Sequence, residues 1–192
     1  MSWTDGQRSL RDLALRPARG CEINVIQAEH RSGVTQIVQS LARAPRQPVR
    51  CLHVFAAGLY EVVGNLAFQA ETPMRNGYAV SLALALKALA GEDRAPVCLL
   101  LDSAEEMGRK GMLRFTLALE WAAQWQRVST RVVLLFRPVQ RWDNPTQNWL
   151  EGWPTLPEAF KHRRVVVYSF CRQELEKLAA RDMPKGLFEE AA

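Results

Sequence analysis

The sequence predicts an α/β protein with a five-stranded, mostly parallel β-sheet and helices on both of its faces. Strand-like apolar runs alternate with helix-like segments along most of the 192-residue chain, and this order is typical of parallel sheets. Two of the runs, 97–101 and 132–136, are apolar throughout, as strands covered on both faces are. The length suits a single domain with a sizeable core.

Each element follows from local spacing, because strands appear as short apolar runs and helices repeat their apolar residues about every 3.6 positions. The predicted strands are 22–27, 49–55, 97–102, 131–136 and 164–168, and the predicted helices are 34–43, 57–69, 78–90, 110–126 and 173–181. Pro45 ends the first of these helices, whose apolar residues share one face: Val34, Ile37, Val38 and Leu41.

Two helices carry a further expectation about packing. The helix at 78–90 is apolar nearly all round, so we expect neighbouring elements to cover it. The helix at 110–126 has apolar residues at four-residue steps, and we interpret this stripe as core packing: Leu113, Leu117, Trp121 and Trp125. We divide the chain into an N-terminal extension with a short helix at 1–20, the domain at 21–182 and a flexible tail at 183–192.

Composition limits the classes of function. A net charge of +5 and a pI near 9.3 permit nucleic-acid binding without requiring it. No apolar run reaches the roughly 18 residues of a membrane helix, and the polar N-terminus lacks a signal-peptide core. The four cysteines are widely spaced, which favours reduced thiols over a metal site. We expect a cytoplasmic protein without membrane contact or a bound metal.

The segment 21–42 has the layout of a phosphate-binding loop, because an apolar strand leads through a polar turn into a helix. Such a P-loop has a glycine, four free positions and then Gly-Lys-Ser/Thr, and the chain has Ala28, Gly33, Val34 and Thr35 at these positions. Val34 replaces the lysine that contacts the β- and γ-phosphates. The amides at the helix start can still bind an anion. His30 or Arg31 is a candidate for the missing charge, against the alternative of a solvated loop charge.

Asp102 ends an apolar strand, as the metal-binding aspartate of P-loop ATPases does, although a helix N-cap is an equal alternative. Thr35 has two interpretations as well, as a magnesium ligand or as a helix cap. Ser103 stands where many ATPases have a glutamate that activates water, and Glu105 and Glu106 suit the charged first turn of a helix. The candidate nucleotide-binding residues are therefore Ser32, Gly33, Val34, Thr35 and Asp102.

The last third of the chain supplies further candidates. Arg137 follows a strand where a γ-phosphate sensor would stand, and Arg163 and Arg164 stand where an arginine finger would, with a basic surface patch as the alternative. The loop from Arg137 to Pro157 holds candidate partner-binding residues, because tryptophan is enriched at binding hot spots: Trp142, Trp149 and Trp153. The alternative is that these rings fold back and cover the sheet edge.

The order of these pieces resembles the AAA+ ATPases of DNA transposition, of the phage Mu B protein and transposon target-selection type. The resemblance spans residues 15–180, and the segment from Tyr168 resembles the passage into that family's lid domain, which would be missing or minimal here. It implies a three-layer P-loop NTPase-like fold and ATP-dependent assembly on DNA. The chain departs from the family at Val34 and Ser103. It is also similar in length to degenerate RecA-like cell-division inhibitors and mutagenesis accessory proteins.

The sequence therefore predicts a non-catalytic P-loop protein that serves as a binding or regulatory module in DNA transposition, recombination, repair (including the SOS response) or cell-division control. Its expected partners are a protein or a second copy of the chain, with DNA contacted through basic groups. ATP and magnesium are expected to bind weakly or not at all, and ATPase activity to be lost. The alternative is a weak AAA+ transposition ATPase that assembles on DNA.

Overall fold

The computed structural model describes residues 5–28, 33–44, 47–136 and 167–170. The described part contains five α-helices, five β-strands and one short 3-10 helix at Ala104–Met107. The helices are α1 (Asp5–Leu15), α2 (Val34–Arg43), α3 (Leu59–Gln69), α4 (Tyr78–Ala90) and α5 (Gly108–Gln126). The strands are β1 (Cys21–Ala28), β2 (Arg50–Phe55), β3 (Val97–Asp102), β4 (Thr130–Phe136) and β5 (Val167–Phe170).

The five strands form one sheet in the order β2-β3-β4-β1-β5, and every neighbouring pair is parallel. The five-stranded parallel sheet and the α/β class predicted from the sequence are confirmed. The last strand was predicted at 164–168, and the structure places β5 at 167–170; residues 164–166 lie outside the described part. Because all strands run the same way, their carboxyl ends meet at one edge of the sheet.

Each face of the sheet has its own apolar core, because successive side chains of a strand point to opposite faces. Along β3, Leu99 and Leu101 belong to the core under α3, α4 and α5. Cys98 and Leu100 belong to the core under α1 and α2. Helix α4 buries six of its 13 residues, in keeping with its apolar sequence.

The N-terminal helix α1 is part of the second core, where Leu10, Leu13 and Ala14 are buried. Arg131 of β4 holds the end of this helix, since its guanidinium donates hydrogen bonds to the carbonyl oxygens of Leu13 and Arg16. A buried cation at the C-terminal carbonyls of a helix complements the helix dipole. The segment that the sequence suggests as an extension thus packs against the sheet, while the proposed boundary at residue 20 stays a prediction.

The apolar stripe of α5 lies on the outside of the domain, so its interpretation as core packing is wrong. Its four members are exposed by 43 to 56%. The core side of α5 consists of other residues: Met112, Phe115, Thr116, Leu119, Ala122 and Ala123. These follow the three- and four-residue alternation of a buried helix face. A constant four-residue step drifts round the helix by about 40° per step, and the sequence of α5 holds both patterns.

Glu22 completes the anchorage of Arg131, because its carboxylate accepts a hydrogen bond from the guanidinium. Burial works against ionisation of Glu22, but the Arg19 amide and the Arg131 guanidinium outweigh it and lower the pKa of Glu22. A lowered folded-state pKa stabilises the fold at pH values above the unfolded-state pKa of about 4.3. That stabilisation is lost as the pH falls through the folded-state pKa.

We predict that Glu22→Gln lowers the free energy of unfolding at pH 7 by about 1.5–3 kcal/mol, the usual contribution of a hydrogen bond to a charged group. The difference from the wild type should shrink below about pH 4, because the wild-type carboxylate becomes protonated there. Urea unfolding at several pH values measures both effects. Glu92→Gln, at an exposed position, is the matched control. A constant difference at all pH values would contradict the role given to the Glu22 charge.

Candidate functional site

The candidate site lies at the carboxyl edge of the sheet, where β1 leads towards α2. Residues 29–32 of the turn lie outside the described part, and Gly33 is the N-cap of α2. Its φ of 75° is in the left-handed region that glycine adopts without strain. The Gly33 carbonyl accepts the first helical hydrogen bonds from the amides of Gln36 and Ile37. Helix α2 therefore begins directly after a glycine in the left-handed conformation.

Asp102 brings β3 and α2 together at this edge. Its side chain is fully buried, and its Oδ2 accepts a hydrogen bond of 2.8 Å from the Thr35 hydroxyl. Its Oδ1 accepts a hydrogen bond of 2.9 Å from the Ser103 amide. A carboxylate this deep needs such donors, because burying a charge without partners is costly. The structure thus places Thr35 and Asp102 side by side, although 67 positions separate them in the sequence.

The helix-cap alternatives do not describe these two residues. Gly33 holds the N-cap position of α2, and the Thr35 hydroxyl donates across to the neighbouring strand instead. Ser103 holds the N-cap position of the 3-10 helix in a left-handed conformation with φ of 58°, so Asp102 precedes the cap. Glu105 and Glu106 occupy the first turn of that helix, where the sequence predicts helix-start charges.

Val34 takes the place of the P-loop lysine and is buried at 3% exposure. It packs in the second core with Ile37, Val38 and Leu41 of the same helix. The position therefore belongs to the apolar face of α2, and a charged side chain there would lose its hydration.

His53 is a member of the site that the sequence did not indicate. Its Nε2 lies 3.7 Å from Asp102 Oδ2, and its side chain is 11% exposed. Its ring packs edge-on against Phe55, with ring centroids 4.9 Å apart. Nε2 has no hydrogen-bond partner in the described part of the chain. A lone histidine within a strand gives little signal; its place on β2, in register beside the strand that ends in Asp102, is visible only once the strand order is known.

Several candidates lie outside the described residues, and nothing further is assigned to them from the structure. They are Ser32 of the phosphate loop, the three arginines Arg137, Arg163 and Arg164, and the three tryptophans Trp142, Trp149 and Trp153. Over the ranges that the structure covers, no three His, Cys, Asp or Glu side chains gather as a metal site would require. None of the helices in those ranges has the combined length and hydrophobicity needed to cross a bilayer.

Comparison with known proteins identifies the fold. No protein-family model matches the chain, and no curated protein matches it. Solved structures do match: the Cdc6p protein of Pyrobaculum aerophilum has a TM-score of 0.57 and 14% identity over 91% of this chain. The Orc1 protein of Aeropyrum pernix, solved in complex with DNA, has a TM-score of 0.57 and 15% identity over 94% of this chain.

The chain has a P-loop NTPase-like α/β fold, which it shares with these two structures. It spans about half the length of the structures that it matches, 46% of the first and 50% of the second. Identities this low establish the shared fold alone. The site is therefore defined by its own residues: a glycine that starts a helix, a buried apolar residue after it, and a hydroxyl and a carboxylate in direct contact.

We predict that Thr35→Val destabilises the protein, because the substitution keeps the size of the side chain and removes the donor to Asp102. The expected loss is about 1.5–3 kcal/mol in the free energy of unfolding, measured by urea unfolding at neutral pH. Thr35→Ser keeps a hydroxyl and should remain close to the wild type. Equal stability of the valine and serine variants would contradict a stabilising hydrogen bond at this position.

Proposed function

We propose that this chain is a degenerate P-loop protein that does not turn over nucleotide and acts as a binding or regulatory module for a protein partner. The observation that carries the proposal is Val34, an apolar side chain buried in the core at the lysine position, beside the Thr35–Asp102 contact. The framework of the nucleotide site is kept, while the group that does most of the phosphate binding is lost.

Loss of the lysine matters because a charge-assisted hydrogen bond to phosphate is about twice as strong as a neutral one. Helix-start amides alone still favour an anion. They supply only partial positive charges. They lack the flexible cationic side chain of a lysine, which would stabilise the negative charge that develops during phosphoryl transfer. The described residues therefore fit weak phosphate binding better than catalysis.

The second missing function is water activation. A general base must lie within hydrogen-bond reach of the proton that it removes and needs a suitable pKa. Ser103 follows Asp102 directly, and a serine hydroxyl is not a base at neutral pH. Asp102 itself is engaged with Thr35 and the Ser103 amide. Both observations support a structural role for Asp102 and argue against ATP hydrolysis at this site.

A magnesium–nucleotide complex fits the described residues only in part. Thr35 and Asp102 are the pair that would hold the metal, which would neutralise phosphate charge when bound. They contact each other at 2.8 Å, and this hydrogen bond leaves the lone pairs of the Thr35 hydroxyl oxygen available to a metal. The contact specifically favours a second candidate function, a weak ATP-binding AAA+ ATPase of the transposition type, because it retains both residues.

DNA is the second proposed ligand. The Orc1 structure was solved in complex with DNA, and this chain carries a net charge of +5. Phosphate contacts through lysine and arginine would make such binding salt-sensitive and independent of sequence. The proposed setting is DNA transposition, repair or cell-division control, with ATP and magnesium dispensable. The three tryptophans of the loop after Arg137 stay a predicted docking element for the partner.

We predict no significant ATP hydrolysis by the purified protein in the presence of magnesium, with or without DNA. The physical reason is the joint loss of the lysine and of a water-activating carboxylate. Release of inorganic phosphate measures it, with Asp102→Ala as the matched variant that separates true activity from a contaminant. Turnover near about 1 s⁻¹, the lower end of ordinary enzyme rates, that disappears in Asp102→Ala would contradict the proposal and favour the weak-ATPase alternative.

A further inference from the structure

The outer face of α5 carries an apolar line that no other described element covers, which we call the outer stripe: Leu113, Leu117, Trp121 and Trp125. Leu113, Leu117 and Trp121 each lie two positions before a buried residue of α5, which is about 200° round the helix. The middle of the stripe, at Leu117 and Trp121, therefore points away from the sheet, and its two ends lie to either side of that direction. Exposed apolar surface of this kind marks an interaction site when it is contiguous.

The two tryptophans at the end of the stripe are already arranged against each other. Their rings are tilted by 41° with centroids 4.8 Å apart, inside the range of favourable aromatic pairs. Each keeps about half of its surface exposed, 46% for Trp121 and 56% for Trp125. Rigid aromatic rings that are half exposed lose little conformational entropy when a partner covers them.

The geometry of the stripe matches a helix better than a flat surface. Residues four apart form the ridge that slants across an α-helix, and packing of such ridges between helices is the commonest mode in globular proteins. The four members occupy one ridge over three turns of α5. A membrane surface would favour a broad apolar face, which α5 turns instead towards its own core.

The exposed charges described beside the stripe are basic. Lys110 and Arg114 are exposed on α5, and Arg127 is exposed at its end; Glu120 is half-buried. A second copy laid antiparallel on this face would set Leu113 opposite Trp125, but it would also bring Lys110 and Arg114 towards the Arg127 end of its mate. Like charges across an interface are unfavourable, so the charges favour an acidic partner over a second copy.

We infer that the outer stripe of α5 docks an amphipathic α-helix of a protein partner whose apolar face is bordered by acidic side chains. This inference rests on the proposed function, which includes a protein partner. It adds the chemistry of that partner. The surface is separate from the Thr35–Asp102 contact, so ATP hydrolysis and helix docking are tested independently.

The test uses two synthetic helical peptides with the same leucine ridge, one bordered by glutamates and the other by lysines. Binding to the full-length protein is followed by tryptophan fluorescence and calorimetry at low salt. We expect the glutamate peptide to bind at least roughly tenfold more tightly than the lysine peptide. Trp121→Ala with Trp125→Ala should weaken binding by roughly tenfold or more, with an unchanged melting temperature. The control is Tyr60→Ala with Phe68→Ala, which removes two exposed rings of α3.

Arg114→Glu is the second variant, because it leaves the apolar ridge intact and should reduce or reverse the preference for the glutamate peptide. Equal affinity for both peptides, or no binding of the glutamate peptide to the folded protein, would overturn the inference.

A dimer that dissociates in the tryptophan double variant would show that a second copy covers the face. Binding to anionic vesicles through the same tryptophans, with no peptide binding, would assign the face to a membrane surface. A large drop in melting temperature would show that the rings are structural. Each of these three results would also overturn the inference that α5 docks an acidic helix.

Discussion

The buried carboxylate of Asp102 is the constraint on which the arrangement of the site depends. A charge at zero exposure must find donors, and it finds them in the Thr35 hydroxyl and the Ser103 amide. Meeting that requirement fixes where β3 ends and how α2 starts relative to the sheet. The same contact that would serve a metal-bound nucleotide in an ATPase therefore also stabilises the fold itself. This explains how the fold persists with Val34 in place of a lysine.

A second buried charge performs the same task at the opposite edge of the sheet. Arg131 lies at the amino end of β4 and binds the carbonyl of Leu13 in α1, the carbonyl of Arg16 just after this helix, and the Glu22 carboxylate. Each buried charge joins elements that are distant in sequence, and each would be costly to leave with one partner removed. The two cores, one on each face of the sheet, consist of apolar side chains. The surface of α5 is different, because there apolar side chains face outwards, and a binding role explains that better than stability does.

Much of the fold could be predicted from the sequence, because strand and helix periods are local properties. The bounds predicted for α2, α4 and β3 agree with the structure. The outer stripe was wrongly assigned to the core, since α5 has two apolar patterns and only the packing of neighbouring helices decides which one is buried. Thr35 and Asp102 could both be predicted from their motifs as members of one site, whereas the approach of His53 to Asp102 depends on the register between β2 and β3. Strand β5 reaches Phe170, two residues beyond its predicted end at 168, as strand ends commonly do.

The most direct test of the account is a calorimetric titration with magnesium and ATP, on the wild type and on the double variant Ala28→Gly with Val34→Lys. The account predicts little or no binding to the wild type and measurable binding to the double variant, together with a lower melting temperature, because a lysine at a buried position loses its hydration. Tight, magnesium-dependent binding to the wild type would contradict the central claim that the nucleotide site is degenerate. A double variant that stays folded and gains no affinity would contradict the claim that the loop keeps P-loop geometry.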